Sequence, residues 1–279
     1  PAGFAEAVGQ LPGLDRVHAL RASPLQLSPT LPALTVLSRP LGDEPAQTLP
    51  LVGEALPVPT GHIAYRGLVD QSALPAAQRQ RDVVAWLGPR MHAVCYPVRR
   101  GEHLNVVVIV QGRLDGDVQN WSHAADPTEL RAAMGRVAPA LDAVLAAVPQ
   151  WLRWPLFERP IITGPQAHGA GRVALLGDAA HPMRPYLAQG AGMAIEDAAQ
   201  LESALSMHDL DVPLRLRRYA VNRWQRNARV QARSTRNGRI FHATGPVRWG
   251  RDWSLKLLGE RVLDVPWLYR GDGAGASAL

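Results

Sequence analysis

The sequence predicts an α/β chain in which a mostly antiparallel sheet precedes a strand–loop–helix unit. Three observations carry this. Four short β-rich runs lie between residues 62 and 112, with turn residues between them. A hydrophobic run, "RVALL" (172–176), ends in Gly177-Asp178, and a glycine-rich helix start follows at Gly190-x-Gly192. From Pro213 a long, Arg-rich helical pattern runs to about Arg236. The 279 residues, 47% hydrophobic and 19% charged, suit a globular chain of one or two domains rather than a disordered one.

Residues 1–56 predict no regular core element. "LRASPLQLSPTLPALTVLSRPLGDEPAQTLP" (20–50) is leucine-rich, but prolines interrupt it and no period of 2.0 or 3.6 persists. From residue 57 the texture changes. "HIAYRGLV" (62–69), "DVVAWLG" (82–88), "HAVCYPV" (92–98) and "LNVVVIVQG" (104–112) read as strands, with "RRGEH" (99–103) as a hairpin connection. Asp126-Pro127-Thr128-Glu129 marks a helix start: Asp126 caps, Pro127 suits the first helical position, and Glu129 completes a capping-box-like pattern. Leu130, Met134 and Val137 form one face, Pro139 breaks or kinks the helix, and Leu141 to Val148 continue it. "WLRWPLFER" (151–159) leads back to the strand 172–176, whose apolar texture predicts cover on both faces. The next helix, from about Gly192, spaces Ala194, Ala198, Leu201 and Leu205 along one side. This gives an irregular segment 1–56, a sheet domain 57–165 and a C-terminal domain 166–279.

Composition excludes several classes. One cysteine, Cys95, excludes an internal disulfide framework and a Cys-cluster metal site, and fits a reducing, cytoplasmic setting. The longest apolar run, near Val106–Val110, is far too short to span a bilayer, and the start shows no signal peptide. Net charge is +6, and Lys256 is the sole lysine. Arg223, Arg226, Arg229, Arg233 and Arg236 follow at helical spacing, with no acid between Arg215 and Arg239. Such a stripe fits a nucleic-acid backbone as a minor reading, against a solvated face or contacts to cofactor phosphates. A metal-hydrolase reading of "GDAAH" lacks the further Asp and His clusters that such sites need.

An acid that closes a buried strand projects a carboxylate at the sheet edge where open α/β sheets bind ligands. That carboxylate accepts hydrogen bonds from hydroxyls. Gly190 and Gly192 allow close backbone approach, and free N–H groups at a helix start favour negative charge. The residues therefore point to a hydroxyl-rich, anionic or electron-rich ligand. Singly, Asp178 also reads as a turn cap, Gly190 as a turn residue and His181 as a surface histidine.

Taken together, "GDAAHPMRPYLAQGAGMAIEDAAQL" (177–201) resembles the second FAD-binding motif of the FAD-dependent aromatic-ring monooxygenases, flavoproteins of the p-hydroxybenzoate, salicylate and 6-hydroxynicotinate hydroxylase type. "PTGHIAYRGLV" (59–69), "HAVCYPVRRGEHLNVVVIV" (92–110) and the Arg-rich 218–242 resemble the same family, so the likeness covers about 57–265. It implies the C-terminal part of a Rossmann-like FAD-binding domain joined to an antiparallel-sheet substrate domain. It implies that Asp178 binds the ribityl hydroxyls of FAD, and that Gln189, Gly190, Ala191 and Gly192 face the flavin. It also implies that Gly177 and Pro185 belong to the cofactor-binding set, with Pro182 and Pro185 shaping the pocket wall. His92 and Tyr96, at i and i+4 on one strand face, become candidate contacts to the substrate ring, against a plain sheet-surface pair. The implied activity is hydroxylation of a small aromatic or heteroaromatic substrate with NAD(P)H and O2.

Two of the family's three fingerprints are missing. No G-x-G-x-x-G occurs, and Gly271-x-Gly273-x-Gly275 follows no strand. Val52-Gly53-Glu54 stands where a D-G motif belongs, and Asp115-Gly116 follows a sheet strand instead. With the start at Pro1 and the aperiodic first segment, this reads as a truncated or frame-disrupted member. The alternative to an active monooxygenase is thus a non-catalytic remnant with weak or no FAD binding.

Overall fold

The computed structural model describes residues 17–20, 34–37, 58–112, 123–259 and 265–269. Of the segment 1–56, this includes β1 (Val17–Leu20) and β2 (Leu34–Leu37), which pair antiparallel. The positions considered for the missing fingerprints, Gly53, Asp115-Gly116 and Gly271 to Gly275, lie outside the described residues.

The main sheet has six strands. These are β3 (Val58–Asp70), β4 (Val84–Gly88), β5 (Met91–Val98), β6 (His103–Gln111), β7 (His123–Ala125) and β8 (Trp151–Glu158), in the order β4-β5-β6-β3-β8-β7. β3 pairs antiparallel with β6, β6 with β5, β5 with β4, and β7 with β8. Period-two alternation fixes which residues face the core. Met91, Ala93 and Cys95 of β5, Leu104, Val106, Val108 and Val110 of β6, and Ile63, Tyr65 and Val69 of β3 form one buried layer. Against it lie α1 (Pro127–Met134) and α2 (Pro139–Ala147) through Leu130, Met134, Leu141, Val144 and Leu145. Burial of the Cys95 side chain pushes its thiol up to about 11. His92, Tyr96 and Asn105 belong to the opposite face of the sheet, since each is one position out of phase with the core residues.

The helix start at Asp126 forms as expected, its Oδ1 accepting from Thr128 N at 2.8 Å. The chain then departs from a single kinked helix. α1 ends at Gly135, which takes φ +67°, and Pro139 opens a separate helix, where its missing N–H costs nothing. Residues 151–158, expected as a link, are a full strand, and Thr60 Oγ1 donates to Leu156 O across it at 2.9 Å.

The run 172–176 is also corrected. Only β10 (Val173–Ala174) pairs, antiparallel, with β9 (Gly169–Ala170), and Leu175 N closes the hairpin on His168 O at 2.7 Å. A strand extends only where a neighbour accepts its backbone groups, and among the described residues β9 is that neighbour. After it come α3 (Gly190–Leu205), α4 (Val212–Phe241), α5 (Gly245–Leu258) and the four-residue α6 (Pro266–Tyr269).

The architecture is mixed α/β with a mostly antiparallel sheet, and it divides into two compact units. One comprises Pro1–Val58, Phe157–Arg236 and Val265–Leu279; the other comprises Pro59–Leu156 and Asn237–Asp264. The C-terminal helices are thus shared out, α5 going with the sheet. Among the described residues, no helix is long and apolar enough to cross a membrane.

Gly67 supplies a test of the sheet packing. A Cβ built there would lie 2.2 Å from Val148 Cγ1, so α2 and β8 close onto bare backbone. Gly67→Ala is expected to destabilise the sheet unit by about 1–3 kcal/mol in urea unfolding. The double variant Gly67→Ala/Val148→Ala should lose less than the two single losses added together.

Candidate functional site

Gly177 and Asp178 sit in a single 3-10 turn (Gly177–Ala179) just past β10. Gly177 takes φ +57°, and a side chain there would also press on Ala194 Cβ at 3.2 Å. Only glycine fits both conditions. The turn is held from several sides. Gly177 N donates to Asp197 Oδ2 (2.9 Å), and Arg159 donates to Ala179 O (3.2 Å). Gln231 Nε2 donates to Pro182 O (3.2 Å), and Ser234 Oγ donates to Arg184 O (2.5 Å). Arg184 in turn forks onto both carboxylate oxygens of Glu158. Pro182 lines a cavity of about 510 Å³ with Glu158, Arg159, Met183, Arg184 and Gln231.

The segment ends at Ala188, which adopts the left-handed conformation (φ 52°, ψ 31°) without being glycine. Such strain persists only where its surroundings enforce it, and it clusters at functional turns. Gln189 then caps α3, but its side chain makes no capping bond and no acid lies in the first turn. The helix therefore presents a positive, uncapped N-terminus at Gly190, Ala191 and Gly192. Asp178 lies beside it: a Cβ on Gly190 would sit 3.8 Å from Asp178 Oδ1. Burial pushes the Asp178 carboxyl up, with the His181 charge partly offsetting this. The structure thus brings Gly177, Asp178, Gln189, Gly190, Ala191 and Gly192 to one loop–helix junction, with Pro185 in the exposed turn leading to it.

Beneath the junction is a buried polar network that the periodicity reading missed. The inward side of α3 is Met193, Asp197, Leu201 and Leu205, stepped by four, with an acid inside an apolar stripe. That misplaced acid is the signal that reveals it. Asp197 and His181 are both 0% exposed, and His181 Nε2 donates to Asp197 Oδ2 at 2.5 Å. Arg223 Nε (2.7 Å) and Asn227 Nδ2 (2.9 Å) donate to Asp197 Oδ1. Burial alone would raise the Asp197 carboxyl; the His181 bond and charge, with Arg223 and Asn227, hold it far below the usual carboxylate range. His168 contacts Asn227 Nδ2 through Nε2 (3.2 Å), and burial lowers it to about 4 despite the nearby Asp197 charge.

Of the five arginines of the stripe, Arg223 and Arg226 are buried, Arg233 is half-buried, and Arg229 and Arg236 are exposed. Arg223 is buried against Asp197 and Glu196. Arg226 forks onto Glu196 and donates to the carbonyls of Trp267 and Leu268, and Arg229 stacks over Trp267 at 3.9 Å. Arg223 and Arg226 are thus unavailable to a phosphate backbone. On the sheet, His92 is buried, its Nδ1 2.7 Å from His242 Nε2, with Phe241 edge-on. Burial and the neighbouring His242 and His62 lower His92 to about 3. Tyr96 is half-buried and pairs across the sheet with Asn105, whose buried Nδ2 has no partner. Among the described residues no group of three or more His, Cys, Asp or Glu is placed to hold a metal ion.

A left-handed glycine, an acid beside an uncapped helix start and a laced loop define a class, an α/β protein shaped to seat a hydroxyl-rich, anionic cofactor. Residues 67–234 match the family described as FAD binding domain, and the chain belongs to that family. It is 36% identical over 213 residues to 3-hydroxybenzoate 6-hydroxylase 2 of Aquipseudomonas alcaligenes, covering 75% of this chain and 65% of that protein. It is 37% identical over 225 residues to a 3-amino-4-hydroxybenzoate 2-monooxygenase of Streptomyces platensis, covering 80% and 55%. Among solved structures, a salicylate hydroxylase substrate complex aligns with a TM-score of 0.66 at 28% identity, over 77% of this chain and 55% of that one. The chain therefore spans little more than half the length of several of these proteins, which are by name aromatic hydroxylases and monooxygenases.

The network predicts a pH response. His168 titrates near 4 when folded and near ~6.5 when unfolded, so the unfolded state takes up the proton first. Its stability contribution is complete above that unfolded value and is lost as pH falls toward 4. Asp197, depressed on folding, adds a further loss below its unfolded value of about 3.9. Urea unfolding across pH 7 to 4 should show the His168 loss together with that of His92, lowered to about 3, and His168→Gln should remove only its own share. Asp197→Asn at pH 7 should cost roughly 3–5 kcal/mol, because buried Arg223 keeps only Glu196 as a carboxylate partner and the buried donors around Asp197 lose their charged acceptor.

Proposed function

We propose that the loop–helix junction is the ribityl-and-flavin half of an FAD site, in a monooxygenase that hydroxylates an aromatic or heteroaromatic acid using NAD(P)H and O2. The observation that carries this reading is the Asp178 carboxylate beside the uncapped start of α3. The residues present fit the cofactor. Asp178 accepts hydrogen bonds from the ribityl hydroxyls, Gly190 and Gly192 admit the ring closely, and the first N–H groups of α3 favour its electron-rich edge. FAD held there supplies the hydride acceptance and O2 activation that hydroxylation needs.

The protein's share is binding, orientation and exclusion of water. The backbone ties from Asp197, Gln231 and Ser234 hold the loop in shape before any ligand arrives. His92 and Tyr96 are the proposed ring contacts on the sheet, Tyr96 beside the unsatisfied Asn105 amide. The substrate class rests on the relatives, which act, by name, on hydroxybenzoates. The second reading, a remnant with weak FAD affinity and no catalysis, is favoured by the absence of G-x-G-x-x-G from the sequence.

Titration of the purified chain with FAD, followed by quenching of flavin fluorescence, tests the site. Saturable binding is expected, weaker than in relatives that carry a pyrophosphate-binding loop. Asp178→Ala should weaken it by about tenfold or more, the loss of one charge-assisted bond. Equal affinity in variant and parent would remove Asp178 from the site. Substrate-stimulated NAD(P)H oxidation by the FAD-loaded chain separates the enzyme from the remnant.

A further inference from the structure

Two arginines line one cavity, and they differ in what they hold. The cavity of about 510 Å³ lies within a single compact unit, walled by the end of β8, the loop after Asp178 and α4. Its size is that of a small-molecule site, ~300–1,000 Å³. Arg159, Arg184 and Glu158 are the charged residues lining it. Arg184 gives Nε and Nη2 to the two Glu158 oxygens, at 2.7 and 2.5 Å, so that acid is already taken. Arg159 turns Nη1 to Ala179 O at 3.2 Å. Its other edge, Nε with Nη2, meets no acceptor among the described residues, and Nε is enclosed. Burial lowers the Arg159 guanidinium and no acid offsets this, whereas at Arg184 burial is outweighed by the Glu158 bond and charge.

We propose that this cavity binds a small aromatic carboxylate, with its two oxygens on the Nε–Nη2 edge of Arg159 and its ring against Pro160, Ile161 and Met183. The edge selects the head group. A guanidinium fork matches a planar anion with two oxygens, as Arg184 shows with Glu158 in the same cavity. One unmatched cation suits one negative charge. The walls select the ring. Pro160, Ile161, Pro182 and Met183 are apolar, and Ile161 is 42% exposed although it is a large aliphatic residue. A methionine sulfur also favours an aromatic neighbour.

A phosphate group fits less well. It gains nothing from apolar walls and draws on several donors at once, and here one edge of one guanidinium is on offer. The same guanidinium holds Ala179 O in the turn that carries Asp178, so one side chain joins the cavity to that turn. Nothing in the cavity requires FAD, and none of its walls includes His92 or Tyr96. It is therefore a second position for an aromatic acid, readable in the cofactor-free chain.

Isothermal titration of the purified chain with benzoate, in the absence of FAD, tests this. Saturable binding with a Kd of about 0.1–1 mM is expected, and benzamide, which lacks the charge, should bind about tenfold or more weakly. Arg159→Lys keeps the charge but loses the fork, and should raise Kd by about tenfold. Ile161→Asp, at an exposed wall position, sets an acid in the cavity and should abolish binding; it carries the test if Arg159→Lys fails to fold. Tyr96→Ala should leave Kd unchanged. No saturation by about 20 mM benzoate overturns the proposal. So does binding that survives the cavity variants or is lost in Tyr96→Ala, which puts the acid on the sheet. Displacement of benzoate by an equal concentration of inorganic phosphate also overturns it, by making the fork a phosphate site.

Discussion

One carboxylate, fully withdrawn from water, governs the loop. Removing a charge from water costs several kcal/mol, and Asp197 offsets this with four donors at once: Gly177 N, His181, Arg223 and Asn227. Those donors come from the loop and from α4, while the acid itself is on α3. The three segments are therefore locked in register, because a slip of any one strands a buried charge. Asp178 inherits its position from this, being the next residue after a pinned backbone N–H. Asp178, the proposed ligand contact, is fixed in place because its neighbour Gly177 is bonded to the buried Asp197.

The arginines of α4 fit the same logic. Arg223 and Arg226 meet acids on α3 and carbonyls of the last described helix, so these two members of the basic stripe are interior cement. Arg rather than Lys suits this role, because its planar fork satisfies two carboxylate oxygens together, as Arg226 does with Glu196. The Arg content thus has a structural use at these positions.

What was legible in the sequence followed from local rules. Strands β3, β5 and β6 show through alternation, and Asp126 shows through its cap. The loop before α3 shows as a long motif, and the family it resembles is the one the chain belongs to. What stayed hidden depended on distant partners. β8 carries Trp, Arg, Trp and Pro without clean alternation, and only its place beside β3 makes it a strand. The run 172–176 has a strand's texture, yet it pairs over two residues because pairing is set by the neighbour. Arg223 and Arg226 look solvated in the sequence because their acids, Glu196 and Asp197, are on another helix. His92 meets His242 across 150 positions of sequence, a contact no periodicity encodes.

The sole cysteine has a practical consequence. Cys95 is completely enclosed in the sheet's core, and its thiol is held in the unreactive neutral form. The folded chain is therefore chemically silent toward maleimides and spin labels. A reporter thiol introduced at an exposed position such as Ala191 would be the one site modified, with no native cysteine removed to make it so. The protein arrives ready for single-site labelling at the first turn of α3.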